Sequence, residues 1–81
     1  MEKSIVIEKL TLVFKDIFKQ EKIVLTDNLT ANDVEGWDSL THMLLISEIE
    51  SVFSLKFKLK DLNRMKNVGE MINIIESRLA E

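Results

Sequence analysis

The 81-residue chain has no cysteine and no proline, and only two glycines and one tryptophan. Without cysteine, neither a disulfide framework nor a thiolate metal cluster can support the fold. Any thiol chemistry must therefore come from a group added to the chain. The absence of proline removes the strongest helix breaker and favours a helical protein.

Long apolar runs are also missing. The first residues become amphipathic at once and lack the apolar core of a signal peptide. No segment approaches the roughly 20 apolar residues that span a bilayer. We therefore expect a cytoplasmic protein with no segment inserted in a membrane.

The length and composition predict one small folded domain over residues 1–81. The hydrophobic fraction of 46% is sufficient for a core, and the charged fraction of 31% favours solubility. A chain of this size supports a single core that is only marginally large enough.

Charge is unevenly distributed along the chain, although the net charge is only −3. One stretch has acids but no lysine or arginine: Asp27, Asp33, Glu35, Asp38, Glu48 and Glu50. A later stretch is basic around the single acid Asp61: Lys56, Lys58, Lys60, Arg64 and Lys66. Such asymmetry can orient partners during encounter in a salt-dependent manner, or it can be an ordinary solvated surface.

Hydrophobic periodicity predicts three main helices. The first covers residues 3–19, the second begins near Ser39, and the third runs from Val68 to Ala80. The buried face of the second helix is predicted to be Leu45, Ile46, Ile49 and Phe53. Residues 20–37 lose the period and form a long loop, which is unusual in a compact domain unless it is functional. We expect three apolar residues to pin this loop: Leu25, Leu29 and Val34.

Residues 55–60 alternate apolar and basic side chains, a pattern typical of a strand. Because the chain offers no partner strand, we predict an extended connector in which Phe57 reaches the core. A short helical turn is expected from Lys60 to Arg64. The predicted fold class is all-α, a small four-helix bundle of three main helices and one short helix.

The candidate functional residue is Ser39, within Gly36-Trp37-Asp38-Ser39-Leu40. Asp38 is a plausible N-cap for the helix that begins there, and Gly36 permits a positive φ or a close backbone approach. A serine hydroxyl is a poor nucleophile without an activating base. His42 is the one histidine, but no Gly-x-Ser-x-Gly elbow surrounds Ser39 and no acid is marked to orient the imidazole. The pattern disfavours a hydrolase and places His42 at the rim of a partner site.

The Asp-Ser-Leu segment is followed by Leu45-Ile46-Ser47-Glu48-Ile49-Glu50-Ser51-Val52-Phe53-Ser54-Leu55. With this second helix, the chain resembles the acyl carrier protein family over essentially its whole length. The resemblance implies a non-catalytic carrier, with 4′-phosphopantetheine derived from coenzyme A attached to Ser39 and acyl groups held as thioesters. A phosphodiester there would lie near a helix N-terminus, which favours anions.

The resemblance also implies a partner-recognition surface on and near the second helix. The residues carried over to that role are Asp38, Leu40, Met43, Glu48, Glu50 and Met65. Asp38 would cap the helix or contribute to the metal site of the modifying enzyme. The implied partners are a phosphopantetheinyl transferase, an acyl-loading ligase or acyltransferase, and a synthase or other acyl-processing enzyme. The carrier itself is expected to be monomeric.

Several positions depart from the carriers of fatty-acid synthesis. Leu44 and Ser51 stand where those carriers usually have acids, and residues 56–66 are basic. The sequence is therefore more similar to stand-alone carriers of specialised lipid, polyketide or polysaccharide-linked pathways. A D-alanyl or aminoacyl carrier is an alternative, as is a helical interaction module in which Asp38 is only a cap. Nucleic-acid binding through residues 56–66 is disfavoured by the net acidic charge.

Overall fold

The structure, a computed structural model, describes residues 1–80. Its four helices are α1 (Lys3–Phe18), α2 (Ser39–Phe53), α3 (Leu59–Leu62) and α4 (Val68–Leu79). These residues contain no strand, which confirms the predicted all-α class. None of the described helices combines the length and apolarity needed to cross a membrane, and the cytoplasmic location stays a prediction.

The core lies where α1 packs against α2 and α4. Each main helix contributes one apolar face, as the 3.6-residue period predicts. From α1 come Val6, Leu10, Val13, Phe14 and Phe18. From α2 come the four predicted residues Leu45, Ile46, Ile49 and Phe53. From α4 come Val68, Met71, Ile72, Ile74 and Ile75.

The long loop between α1 and α2 is held near its centre and at the end that leads into α2. Near its centre, the backbone N–H groups of Val68 and Gly69 donate to the carbonyls of Leu29 and Asp27, both at 2.9 Å. A Cβ at Gly69 would lie 3.0 Å from the Cβ of Asp27, so glycine permits this close approach. Of the predicted pins, Val34 is buried, while Leu25 and Leu29 pack partly buried against the core.

At the end of the loop, the Trp37 side chain enters the core. Its ring meets Phe14 edge-on with centroids 5.2 Å apart, and it lies 5.9 Å from the ring of Phe18. Such aromatic contacts add to the burial of large apolar surfaces. Trp37 therefore fixes the chain to α1 immediately before α2 begins.

The connector after α2 forms neither helix nor strand over residues 55–58, in agreement with the prediction that it has no partner strand. Ser54 ends α2 in a left-handed conformation with φ 54°, and Leu55 and Phe57 pack partly buried against the core. The side chain of Glu50 accepts a hydrogen bond from the Phe57 N–H at 2.8 Å. This contact gives the Phe57 N–H the acceptor that a partner strand would otherwise provide.

The predicted bounds of the short third helix were wrong, since α3 covers Leu59–Leu62 rather than residues 60–64. The reason is Asp61, which is 3% exposed and accepts from the Lys58 N–H at 2.8 Å, fixing an earlier start. Arg78 of α4 donates to both Asp61 oxygens, at 2.8 and 2.9 Å. A buried ion pair thus holds α3 against α4, and Met65 lies in the segment after α3.

Candidate functional site

The start of α2 is fixed by reciprocal hydrogen bonds between Asp38 and Thr41. The Asp38 carboxylate accepts from the Thr41 N–H at 2.9 Å, and the Thr41 hydroxyl accepts from the Asp38 N–H at 2.8 Å. That hydroxyl also donates to the Gly36 carbonyl at 2.7 Å. Gly36 has φ +89°, a conformation that L side chains rarely adopt. The predicted N-cap and the predicted positive φ are both confirmed.

Ser39 is the first residue of α2 and is exposed. Within residues 1–80, its hydroxyl makes no hydrogen bond with a base. The free amides and the dipole of a helix N-terminus favour an anion near this position. Ser39 is thus exposed, and none of residues 1–80 makes a hydrogen bond that would activate its hydroxyl.

A cleft of about 480 Å³ opens beside Ser39. It is formed by α2, the long loop and the segment after α3, with the lining residues Ala31, Trp37, Asp38, Ser39, His42, Met43, Met65 and Lys66. Ala31, Met43 and Met65 give it apolar surface, while Asp38 and Lys66 place opposite charges at its edge. A flexible chain with both apolar and polar parts fits such a lining.

His42 is bound to Trp37 rather than to Ser39. The Trp37 Nε1–H donates to His42 Nδ1 at 3.0 Å, and the two rings are nearly parallel, with an interplanar angle of 12°. Burial lowers the pKa of His42 below its usual 6.5, because the charged form loses solvation. In a Ser-His-Asp triad this nitrogen would donate to a carboxylate. The arrangement therefore lacks the geometry of hydrolytic catalysis.

Asp38 stays ionised at neutral pH. The hydrogen bond from the Thr41 backbone lowers the pKa of its carboxyl below the usual 3.8, and the Thr41 hydroxyl adds to this effect. A negative charge therefore lies at the start of α2 beside Ser39, where the dipole also favours it.

The predicted partner-recognition residues separate into two groups in space. Asp38, Met43 and Met65 line the cleft with Ser39, whereas Glu48 lies over a second groove beside α1. Leu40 is 75% exposed and projects outside both. The Glu50 carboxylate is bound to the Phe57 N–H. Its side chain is only 22% exposed, with Lys56 Nζ at 4.0 Å. Recognition of partners by these residues stays a prediction.

Sequence reasoning missed three residues of the site, Thr41, Ala31 and Lys66, and it missed the contact between Trp37 and His42. Thr41 carries an observable signal, because its spacing from Asp38 is that of a capping box. Trp37 precedes the helix start and His42 follows it, but their contact depends on an indole ring that packs against Phe14 and Phe18 of α1. Ala31 and Lys66 leave no local signal, since distant segments bring them to the cleft.

Relatives of known family match the chain along most of its length. The chain is 32% identical over 81 residues to the acyl carrier protein of Coprothermobacter proteolyticus, covering 98% of this chain and 96% of that protein. It is also 32% identical over 77 residues to the acyl carrier protein of Thermotoga maritima, covering 95% and 85% respectively. No protein-family model matches the chain.

A solved structure shows the same fold. The solution NMR structure of holo acyl carrier protein from Geobacter metallireducens superimposes with a TM-score of 0.87 at 40% sequence identity, covering 93% of this chain and 86% of that one. The shared fold and the near full-length similarity to these relatives indicate the same family. The chain therefore belongs to the acyl carrier protein family and is a carrier rather than an enzyme.

Proposed function

We propose that Ser39 is the attachment point of the 4′-phosphopantetheine arm and that residues 1–81 form a single carrier domain. The observation that carries this proposal is the exposed hydroxyl of Ser39 at the first position of α2, beside an open cleft. The arm, when bound, supplies a thiol that holds an acyl group as a thioester. The chain has no cysteine that could do so itself.

The lining of the cleft fits such an arm. The phosphodiester next to Ser39 would lie at the start of α2, where free amides favour an anion. Beyond it, the flexible side chains of Met43 and Met65 offer an apolar surface that can adjust to the shape of the group in the cleft. Asp38 holds the helix start in place through Thr41, so the attachment point is rigid.

Attachment requires a second protein, because Ser39 has no base within residues 1–80. We infer that a phosphopantetheinyl transferase provides the base and coenzyme A provides the transferred group. The Ser39 Oγ–H proton passes to that base as an Oγ–P bond forms. The diphosphate bond of coenzyme A then breaks, and its nucleotide half leaves. One phosphopantetheine group is gained for each chain.

The surface around Ser39 supports contact with acyl-processing enzymes. Leu40, Met43 and Leu44 of α2 are 75%, 56% and 57% exposed. Asp38 and Glu48 provide negative charge near these apolar side chains. We propose that a loading ligase or acyltransferase and a synthase dock here through small, salt-sensitive contacts.

The cargo belongs, we propose, to a specialised pathway rather than bulk fatty-acid synthesis. Leu44 gives α2 an exposed apolar side chain, and the Glu50 carboxylate is used by the Phe57 N–H. Both features reduce the negative charge that α2 offers to a basic partner. A D-alanyl or aminoacyl cargo stays an alternative prediction.

Intact-mass analysis tests the attachment. The chain is incubated with coenzyme A and a broad-specificity phosphopantetheinyl transferase, and we expect a gain of one phosphopantetheine group. The Ser39→Ala variant should stay unmodified. Ser47→Ala, which removes another exposed hydroxyl of α2, should be modified as fully as the unaltered chain. An unshifted mass, or a shift that survives Ser39→Ala, contradicts the proposal.

A further inference from the structure

His42 has one ring nitrogen that the fold uses and one that it leaves open. Nδ1 accepts the Trp37 Nε1–H at 3.0 Å. A neutral imidazole has one donor and one acceptor nitrogen, so its proton is on Nε2. Within residues 1–80, Nε2 has no hydrogen-bond partner and is not a buried atom. His42 therefore has an N–H donor of fixed identity that the described residues leave unpaired.

The donor lies on the same side of α2 as Ser39. The two residues are three positions apart, a spacing that brings Cβ atoms to about 5–6 Å in a helix. Helical side chains lean toward the N-terminus, and the bond to Trp37 draws the imidazole in the same direction. Both His42 and Ser39 line the cleft.

An anion attached to Ser39 would lie beside a carboxylate. Asp38 already uses the Thr41 amide at the start of α2, and its negative charge opposes a second one nearby. Lys66 is the one cationic side chain among the cleft residues, and it is exposed. A hydrogen-bond donor that is held in place, such as His42 Nε2, would offset part of this repulsion.

Given the proposed attachment at Ser39, we propose that His42 Nε2–H donates a hydrogen bond to a phosphodiester oxygen of the arm. His42 is then a cofactor-binding residue. Trp37 is a positioning residue, because it holds the imidazole in the tautomer that donates from Nε2. The ring is used for binding the arm and not for activating Ser39.

Nuclear magnetic resonance of the full chain tests this contact. The protein is labelled with ¹⁵N-histidine and compared before and after modification at pH 8, where the imidazole is neutral. We expect the Nε2 resonance to move on modification, while Nδ1 stays unprotonated in both forms. The ³¹P resonance of the modified protein should differ between the unaltered chain and His42→Phe. His42→Gln offers both an acceptor and a donor and should restore part of that difference.

Two variants serve as controls. Ser47 lies outside the cleft, so Ser47→Ala should leave the ³¹P resonance unchanged. Lys66→Gln removes the cleft cation and should leave the Nε2 movement intact; loss of that movement would assign the contact to Lys66 instead. Amide spectra of each variant establish that the fold is retained.

Mass spectrometry separates the two proposals. A fully modified protein whose Nε2 resonance does not move contradicts the His42 contact and leaves the carrier function standing. A chain that gains no mass contradicts the attachment itself, and the His42 contact with it.

Discussion

At the scale of single residues, the character of the site depends on the titratable side chains near Ser39 and on the hydrogen bonds that they make with other residues. Asp38 is paired with Thr41, and His42 Nδ1 is paired with Trp37. Both pairings remove groups that could otherwise activate a serine hydroxyl. The residue chemistry therefore suits a serine that is modified by another protein and does not react by itself.

The Trp37–His42 hydrogen bond predicts a pH-dependent signal. Protonation places a hydrogen on Nδ1, which removes the acceptor. Burial lowers the pKa of His42 below 6.5 in the folded protein. The unfolded state therefore binds more protons below pH 6.5, and stability falls as pH decreases from 6.5 through the folded pKa. We expect Trp37 fluorescence to change with a midpoint below 6.5.

The chain contains one tryptophan and one histidine, so this titration has a simple control. In His42→Gln the transition should disappear, because the amide does not titrate. A midpoint above 6.5, or an unchanged transition in His42→Gln, would contradict the assignment.

At the scale of elements, α2 illustrates how a cap determines where a functional residue lies. Asp38 and Thr41 satisfy each other's backbone amides, and Thr41 also bonds the Gly36 carbonyl. These contacts place Ser39 at the first position of the helix, rather than inside it or in the loop. The position of the proposed attachment point is therefore defined by the helix boundary.

Replacing the cap should destabilise the fold measurably. In Asp38→Ala the Thr41 N–H loses its side-chain acceptor, and we expect Tm to fall by several degrees. Asp38→Asn keeps an acceptor and should stay close to the unaltered chain, since asparagine and aspartate are similarly good caps. Thermal unfolding followed by circular dichroism measures both. Equal losses in the two variants would show that charge, and not capping, stabilises the helix start.

At the scale of the whole molecule, two tertiary contacts close the bundle outside the apolar core. The long loop is bonded to the start of α4 through Leu29 and Asp27, and α3 is held to α4 by Asp61 and Arg78. The side chains of this ion pair are only 4% and 9% exposed. Breaking such a buried pair leaves an uncompensated charge, which costs more than an exposed pair contributes.

The Asp61–Arg78 pair predicts an acid-dependent loss of stability. Hydrogen bonding from Arg78 lowers the pKa of Asp61 to about 2, from 3.8, against the opposing effect of burial. Between these values the unfolded state binds more protons, so the contribution of the pair is present above pH 3.8 and is lost as pH falls toward 2. We expect Asp61→Asn to be less stable by about 3 kcal/mol at pH 7.

Urea unfolding at pH 7 and at pH 3 checks this prediction. The difference in the free energy of unfolding between the unaltered chain and Asp61→Asn should become smaller at the lower pH. The reason is that the Asp61 carboxyl becomes protonated at a higher pH in the unfolded state than in the folded protein. Glu8→Gln, which alters an exposed carboxylate of α1, should show a small difference at both values. If the loss of unfolding free energy in Asp61→Asn is the same at pH 7 and pH 3, the result contradicts the role of the ion pair.

The sequence by itself determined the three main helices, the buried face of α2 and the serine that begins α2. Helix periodicity and capping are local, so residues within one or two turns carry the necessary information. Only the tertiary structure decided the contacts between distant segments: the ion pair of Asp61 with Arg78, and the cleft to which Ala31 and Lys66 contribute. It also decided that His42 binds Trp37, because the packing of Trp37 against Phe14 and Phe18 of α1 sets the position of the indole N–H. Such contacts follow from how the helices pack, and packing has no signature in the spacing of residues along one helix.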